Sequence, residues 1–72
     1  MMLTADEVRA LPAGMAVEVI RDAYSPDGLF LGTTTDLCIV RVCRDGRRYL
    51  TRYRSKIPIR ILDSPRIEYS LP

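Results

Sequence analysis

The chain has 72 residues, 47% of them hydrophobic and 28% charged, with a net charge of +2, two Cys and no His or Trp. That length supports one small core, burying about 60% of the surface the unfolded chain exposes. The lack of His excludes Ser-His and Cys-His nucleophiles, and single scattered acids with no Cys-x-x-Cys pair offer no metal ligand set.

Thr4-Ala5-Asp6-Glu7 fits the Ser/Thr-x-x-Glu capping box, so a short helix is expected to start here. Val8 and Leu11 share one face of it, and Pro12 ends it. Under two turns long, it is stable only if those two side chains are pinned to the rest. Met15 to Tyr24 follows as a half-buried strand, with Met15, Val17 and Val19 on one side and Glu18 and Asp22 on the other; Ile20 breaks the alternation. Ser25-Pro26-Asp27-Gly28 reads as a type I turn, with Pro26 presetting φ. Leu29 to Thr35 reads as a second strand, in which Gly32 marks a bend or a close backbone approach.

Leu37 to Arg44 and Arg47 to Arg54 flank Asp45-Gly46, the signature of a two-residue type I′ hairpin. Its register sets residue 44 opposite 47, 42 opposite 49, 40 opposite 51 and 38 opposite 53. Cys38, Val40, Val42, Tyr49, Thr51 and Tyr53 then share the core side. Leu37, Ile39, Arg41, Cys43, Arg48, Leu50, Arg52 and Arg54 share the outer side. Pro58 opens a last strand suited to an edge or a barrel corner, with Ile57, Ile59 and Ile61 pointing inward. Asp63-Ser64-Pro65 ends it, and residues 66 to 72 add a short strand at Ile67 to Ser70 or trail as a tail. The expected fold is mainly β, a small barrel of about five short antiparallel strands with a short N-terminal helix. Residues 1 to 72 form a single domain: helix 4–11, barrel 15–62, and a tail or extra strand at 63–72.

Met15-Ala16-Val17-Glu18-Val19, entered through Leu11-Pro12-Ala13-Gly14, resembles the opening strand of SH3-like small barrels of the Tudor and Agenet type. Gly28-Leu29-Phe30-Leu31-Gly32-Thr33, then Val40 and Asp45-Gly46, look like their second and third strands. The resemblance covers about residues 12 to 62 and implies the fold. It does not carry over the ligand. Methyl-lysine-reading Tudor domains use an aromatic cage, whereas this chain offers Tyr24, Phe30, Tyr49 and Tyr53, and the hairpin register turns the last two inward.

The charge is unevenly placed. Residues 1 to 36 hold two Arg against six acids, and residues 37 to 72 hold nine Arg or Lys against three acids. Either an anionic partner meets the second half, or the acidic half folds against the basic one. Arg41, Arg48, Arg52 and Arg54 share the outer side in the expected register, Arg44 and Arg47 flank the hairpin tip, and Lys56 and Arg60 lie nearby. Arg exceeds Lys ten to one, and its planar fork suits carboxylate and phosphate. Aliphatics among these arginines, Ile39 and Leu50 above all, favour a protein interface. The expected function is a non-enzymatic interaction module binding an acidic protein, or its own copy, through the 37–54 hairpin. The alternative is a nucleic-acid-binding accessory protein using the same arginines on phosphates.

No catalytic residue, cofactor or metal is expected. Glu18 and Asp22 read as a solvated strand face, and the four glycines are too dispersed for a phosphate loop. Cys38 and Cys43 are five positions apart, a span of roughly 16 Å at about 3.3 Å per residue on one strand. A disulfide needs Cα atoms within about 7 Å, so free thiols are expected. With no apolar leader after Met1 and no long apolar run, a cytoplasmic protein without membrane contact is expected.

Overall fold

In the computed structural model, residues 1–72 form a mainly β structure with one five-residue helix. The elements are β1 (Met2–Leu3), α1 (Ala5–Arg9), β2 (Ala16–Tyr24), β3 (Phe30–Val42), β4 (Arg48–Arg52), β5 (Pro58–Ile59) and β6 (Ile67–Ser70). All strand pairs are antiparallel, in one open six-stranded sheet of order β1-β6-β2-β3-β4-β5. Residues 67 to 70 are therefore a strand, paired between β1 and β2.

The capping box forms at Thr4. Its Oγ1 accepts the Glu7 N–H at 3.1 Å, and Glu7 Oε1 accepts the Thr4 N–H at 2.9 Å. This satisfies two donors that a short helix would leave orphaned. Ala5 and Val8 are then buried against Val17, Val19, Cys38, Val40, Leu50, Ile61 and Tyr69. Leu3, Leu11, Ile59 and Ile67 pack around that set. Fully burying a Val or Leu is worth roughly 1.5–3 kcal/mol, so nine buried apolar residues make a thin core, in keeping with the chain's length.

Two expected strands prove to be one. β3 runs unbroken through Asp36, because no Gly or Pro between Thr33 and Val42 turns the chain. Its first part and the second half of β2 extend past β6 and β4 as a two-stranded arm, contributing to a long axis of 39 Å. The arm closes at Pro26-Asp27-Gly28. There the Gly28 N–H donates to the Ser25 C=O at 2.9 Å and the Ser25 N–H to the Leu29 C=O at 2.8 Å.

The Asp45-Gly46 hairpin departs from its expected register by one residue. The pairs are Val42↔Arg48, Arg41↔Tyr49, Val40↔Leu50, Ile39↔Thr51 and Cys38↔Arg52. A type I′ loop needs positive φ at both central residues, and here only Gly46 has it, at +89°. The loop is instead the three residues Arg44-Asp45-Gly46. The Gly46 N–H reaches the Cys43 C=O at 3.0 Å, and the Cys43 N–H reaches the Arg47 C=O at 2.8 Å. This is the type I turn with a glycine bulge, the same closure as at residues 25–29. Asp45 secures it by accepting the Arg47 N–H at 3.1 Å and Nε at 2.7 Å. The backbone N–H of Arg47, above all, holds the Asp45 carboxyl below its usual 3.8. That support is present above the ordinary carboxylate range and is lost as pH falls through the lowered value.

A one-residue slip turns every β4 side chain over. Leu50, expected outside, is fully buried beside Val40, while Tyr53, expected inside, is 60% exposed. Tyr49 is half-buried. Ile57, also expected inside, is exposed, whereas Ile61 is buried as expected.

The sheet does not close by a backbone ladder between β5 and β6. A single side chain spans that gap. The Tyr69 hydroxyl accepts the Leu62 N–H at 2.9 Å and donates to the Leu62 C=O at 3.1 Å, satisfying both backbone groups at once. Arg9 reinforces the seam from α1, with NH2 donating to the Ile61 C=O at 2.8 Å.

The stabilities of three variants test these assignments. In urea titration Leu50→Ala is expected to lose about 2–5 kcal/mol, as a buried leucine does. Tyr53→Ala is expected to lose no more than about 0.5 kcal/mol, as an exposed side chain does; the reverse ranking would restore the two-residue loop. Tyr69→Phe is expected to cost about 1–3 kcal/mol by stranding both Leu62 groups.

Candidate functional site

The corrected register sorts the expected binding residues onto different sides. Arg48 and Arg52 join Val40 and Leu50 on the side of the sheet that carries the core, and Arg41 joins Ile39 and Thr51 on the other. Arg41 is exposed and its Nε donates to Thr51 Oγ1 at 3.1 Å. Arg52 Nε lies 3.4 Å from Asp36 Oδ2, which also accepts from Arg21 NH2 at 2.6 Å. Arg54, past the end of β4 with φ +66°, lies over the Tyr53 ring at 5.3 Å. Arg44 is exposed at the hairpin loop, and Arg47 is paired with Asp45. Leu50 leaves the surface for the core, and Ile39 is half-buried on the face opposite to it. Helix α1 packs on the Leu50 side and leaves Leu37 42% exposed. The continuous outer face of four arginines is thus not present.

A different group of cations does converge. Between the hairpin loop, the helix and the segment through β5 lies a cleft of about 570 Å³. It is lined by Arg9, Cys43, Arg47, Arg48, Tyr49, Lys56, Pro58, Arg60 and Ile61, five cations with no carboxylate among them. Each is positioned by a local cause. Arg48 is half-buried and fixed by backbone carbonyls, with Nε to Leu11 at 3.3 Å and NH1 to Gly46 at 2.9 Å. Those bonds direct its fork without neutralising its charge. Arg9 is shared by Asp6 at 2.9 Å, Asp63 at 3.4 Å and the Ile61 C=O. Arg60 stands between β5 and the Tyr69 seam, and neither it nor Lys56 holds an acid. With Arg9 and Arg47 paired to acids outside the lining, Arg48, Lys56 and Arg60 are left as its uncompensated positive charges.

The acidic half does not cancel the basic half. Of the nine bases in residues 37 to 72, only Arg47 and Arg52 hold a carboxylate, and only that of Arg52, Asp36, comes from the first 36 residues. Lys56 and Arg60 were legible as neighbours of the hairpin. Arg9 was not: it lies 52 residues from Ile61 and enters only through helix packing, which no local pattern signals.

Both cysteines are free, Cys38 buried and Cys43 exposed at the cleft. Burial above all, with Asp36 beside it, pushes the Cys38 thiol above its usual range. A maleimide is expected to label one thiol per native chain, at Cys43, and a second only after denaturation; rapid native labelling of both would contradict the placement of Cys38.

Fold and cleft together define a small antiparallel β protein with a cleft lined by basic side chains. Comparison with protein-family models, with curated proteins and with solved structures finds no match. No helix is long and apolar enough to cross a membrane.

Proposed function

We propose that this chain is a non-enzymatic interaction module, a small SH3-like barrel open at one seam, that holds an acidic protein segment in its basic cleft. The carrying observation is the cleft itself, with five cations, no lining carboxylate, and Arg48, Lys56 and Arg60 free of any internal acid. The barrel reading is supported by the strand order β6-β2-β3-β4-β5, in which a β5–β6 pairing would complete a ring. Tyr69 already ties those two ends together. The free thiols suit a reducing compartment such as the cytoplasm.

An acidic protein segment is favoured over a nucleic acid because the cations form a cluster and not a track. A phosphate backbone is held by successive contacts along its length. Here Arg41 lies on the opposite side of the sheet and Arg52 is occupied by Asp36, which interrupts the row. A cluster of guanidinium groups beside Tyr49, Pro58 and Ile61 suits a few carboxylates carried on an apolar stretch. One observation supports nucleic acid as the second reading. Tyr53 is exposed and carries Arg54 over its ring, a surface on which a base could stack.

Fluorescence anisotropy separates the readings, using a labelled Asp/Glu-rich peptide and a labelled single-stranded oligonucleotide over a range of salt. The peptide is expected to bind, and Lys56→Glu with Arg60→Glu to weaken it at least about tenfold. Both side chains are exposed, so the urea midpoint is expected to hold. Tighter binding of the oligonucleotide, lost in Tyr53→Ala, would transfer the function to nucleic acid. Binding of neither probe would remove the cleft as a site.

A further inference from the structure

The arm exposes a strand edge that nothing in the chain covers. β2 pairs with β3 from Phe30 to Ile39, but on its other side β4 reaches only to Cys38, followed by one bond from the Tyr53 N–H to the Leu37 C=O. Alternation shows which groups face the free side. The Val40 N–H donates to the Met15 C=O and its C=O accepts from the Gly14 N–H, so even-numbered residues of β3 address β2 as far back as Gly32, where a bulge opposite Ala23 and Tyr24 ends the alternation. The Leu37 C=O faces the other way. Thr33 and Thr35 therefore point both N–H and C=O into space where no strand lies. From Gly28 to Thr35 the edge has no charge and no Pro, and its one protective device is the bulge opposite Ala23 and Tyr24, which leaves Gly32 to Leu37 as a regular open edge. A two-stranded ribbon is also marginal in water without further cover.

The two ends of this edge complement each other. The tip exposes Leu29 (65%), Phe30 and Leu31 (64%), and the base exposes Leu37 (42%) and Tyr53. The tip carries Asp27, whereas the base carries Arg54, which has no acid partner. Thr33 lies four residues from Leu37, about 13 Å at extended spacing, and four from Leu29 along a path that the bulge shortens.

We propose that a second copy of this chain pairs antiparallel along this edge about a two-fold axis at Thr33, joining the two arms into a four-stranded sheet. Thr33 then faces Thr33 of the other copy, with Thr35 level with the bulged Leu31. The tip, with Asp27, approaches the Leu37 and Arg54 end. An isologous contact of this kind brings each tip to the other base and consumes both edges, so assembly stops at two. Tyr53, which occupies the edge at Leu37, sets the limit of the overlap.

Sedimentation across a wide concentration range tests this, with the full chain at physiological and high salt. A concentration-dependent dimer that survives salt is expected. Leu31→Lys, a change on an exposed side chain that leaves the fold intact, is expected to weaken it at least about tenfold by placing a charge on the edge. Thr33→Pro removes an outward N–H without touching the β2 ladder and is expected to give a monomer of unchanged circular dichroism. In a Cys43→Ser background, Thr33→Cys is expected to oxidise to a covalent dimer and Thr35→Cys is not. Directly facing residues in such a pair lie about 5.5 Å apart, within disulfide reach. A monomer at every concentration overturns the proposal, as do a dimer indifferent to Leu31→Lys and Thr33→Pro, open-ended fibres, or cross-linking through Thr35→Cys. The Lys56→Glu/Arg60→Glu chain is expected to dimerise like the parent, which keeps this surface distinct from the cleft.

Discussion

The hydroxyl of Tyr69 does the work that a strand ladder does elsewhere in the sheet. With β5 only two residues long and begun by Pro58, the chain after it has no neighbour to pair with. Yet its backbone polar groups, set against the core at Ile61, must be satisfied. One phenol takes both the donor and the acceptor of Leu62, and its ring fills the core beneath. The wall formed by Pro58, Arg60 and Ile61 thus depends on a residue eight positions beyond Ile61. The last strand therefore helps to shape the cleft: Tyr69 holds this wall beyond Ile61, as the β4–β5 ladder holds it at Pro58 and Arg9 holds it at the Ile61 C=O.

The electrostatics follow from the same economy. A thin core leaves most charged side chains at the surface, where exposed ion pairs contribute little. The ion pairs that form are used to position backbone: Arg9 on the seam, Arg47 on the hairpin loop, and Asp36 between Arg21 and Arg52 at the root of the arm. The remaining cations have no internal counter-charge, and the sheet gathers several of them around one hollow. Chain-wide asymmetry therefore survives folding as a surface property.

The elements were largely legible where a residue's role is local. Thr4 and Glu7 announce the helix start, Pro26-Asp27-Gly28 announces a turn, and the alternation of Val17 and Val19 announces a core-facing strand. The hairpin at 44–46 was misread because Asp-Gly admits two closures that differ by one residue. The choice rests on whether Asp45 adopts positive φ, and in the fold only Gly46 of the pair does. Because side chains alternate with period two, that single ambiguity moved Leu50 and Tyr53 to the wrong sides and assembled a face of arginines that folding divides. Arg9 and Tyr69 act across 52 and seven positions respectively, and neither carries a local signal of its partner.

The bulge at Gly46 separates loop length from strand pairing. Cys43 and Arg47 close the hairpin on either side of Arg44-Asp45-Gly46, so a loop one residue shorter still sets Val40 opposite Leu50. A deletion inside β4 is different in kind: it would exchange the faces of every residue beyond it and send Leu50 into solvent. Length variation in this hairpin is therefore confined to the three residues between Cys43 and Arg47.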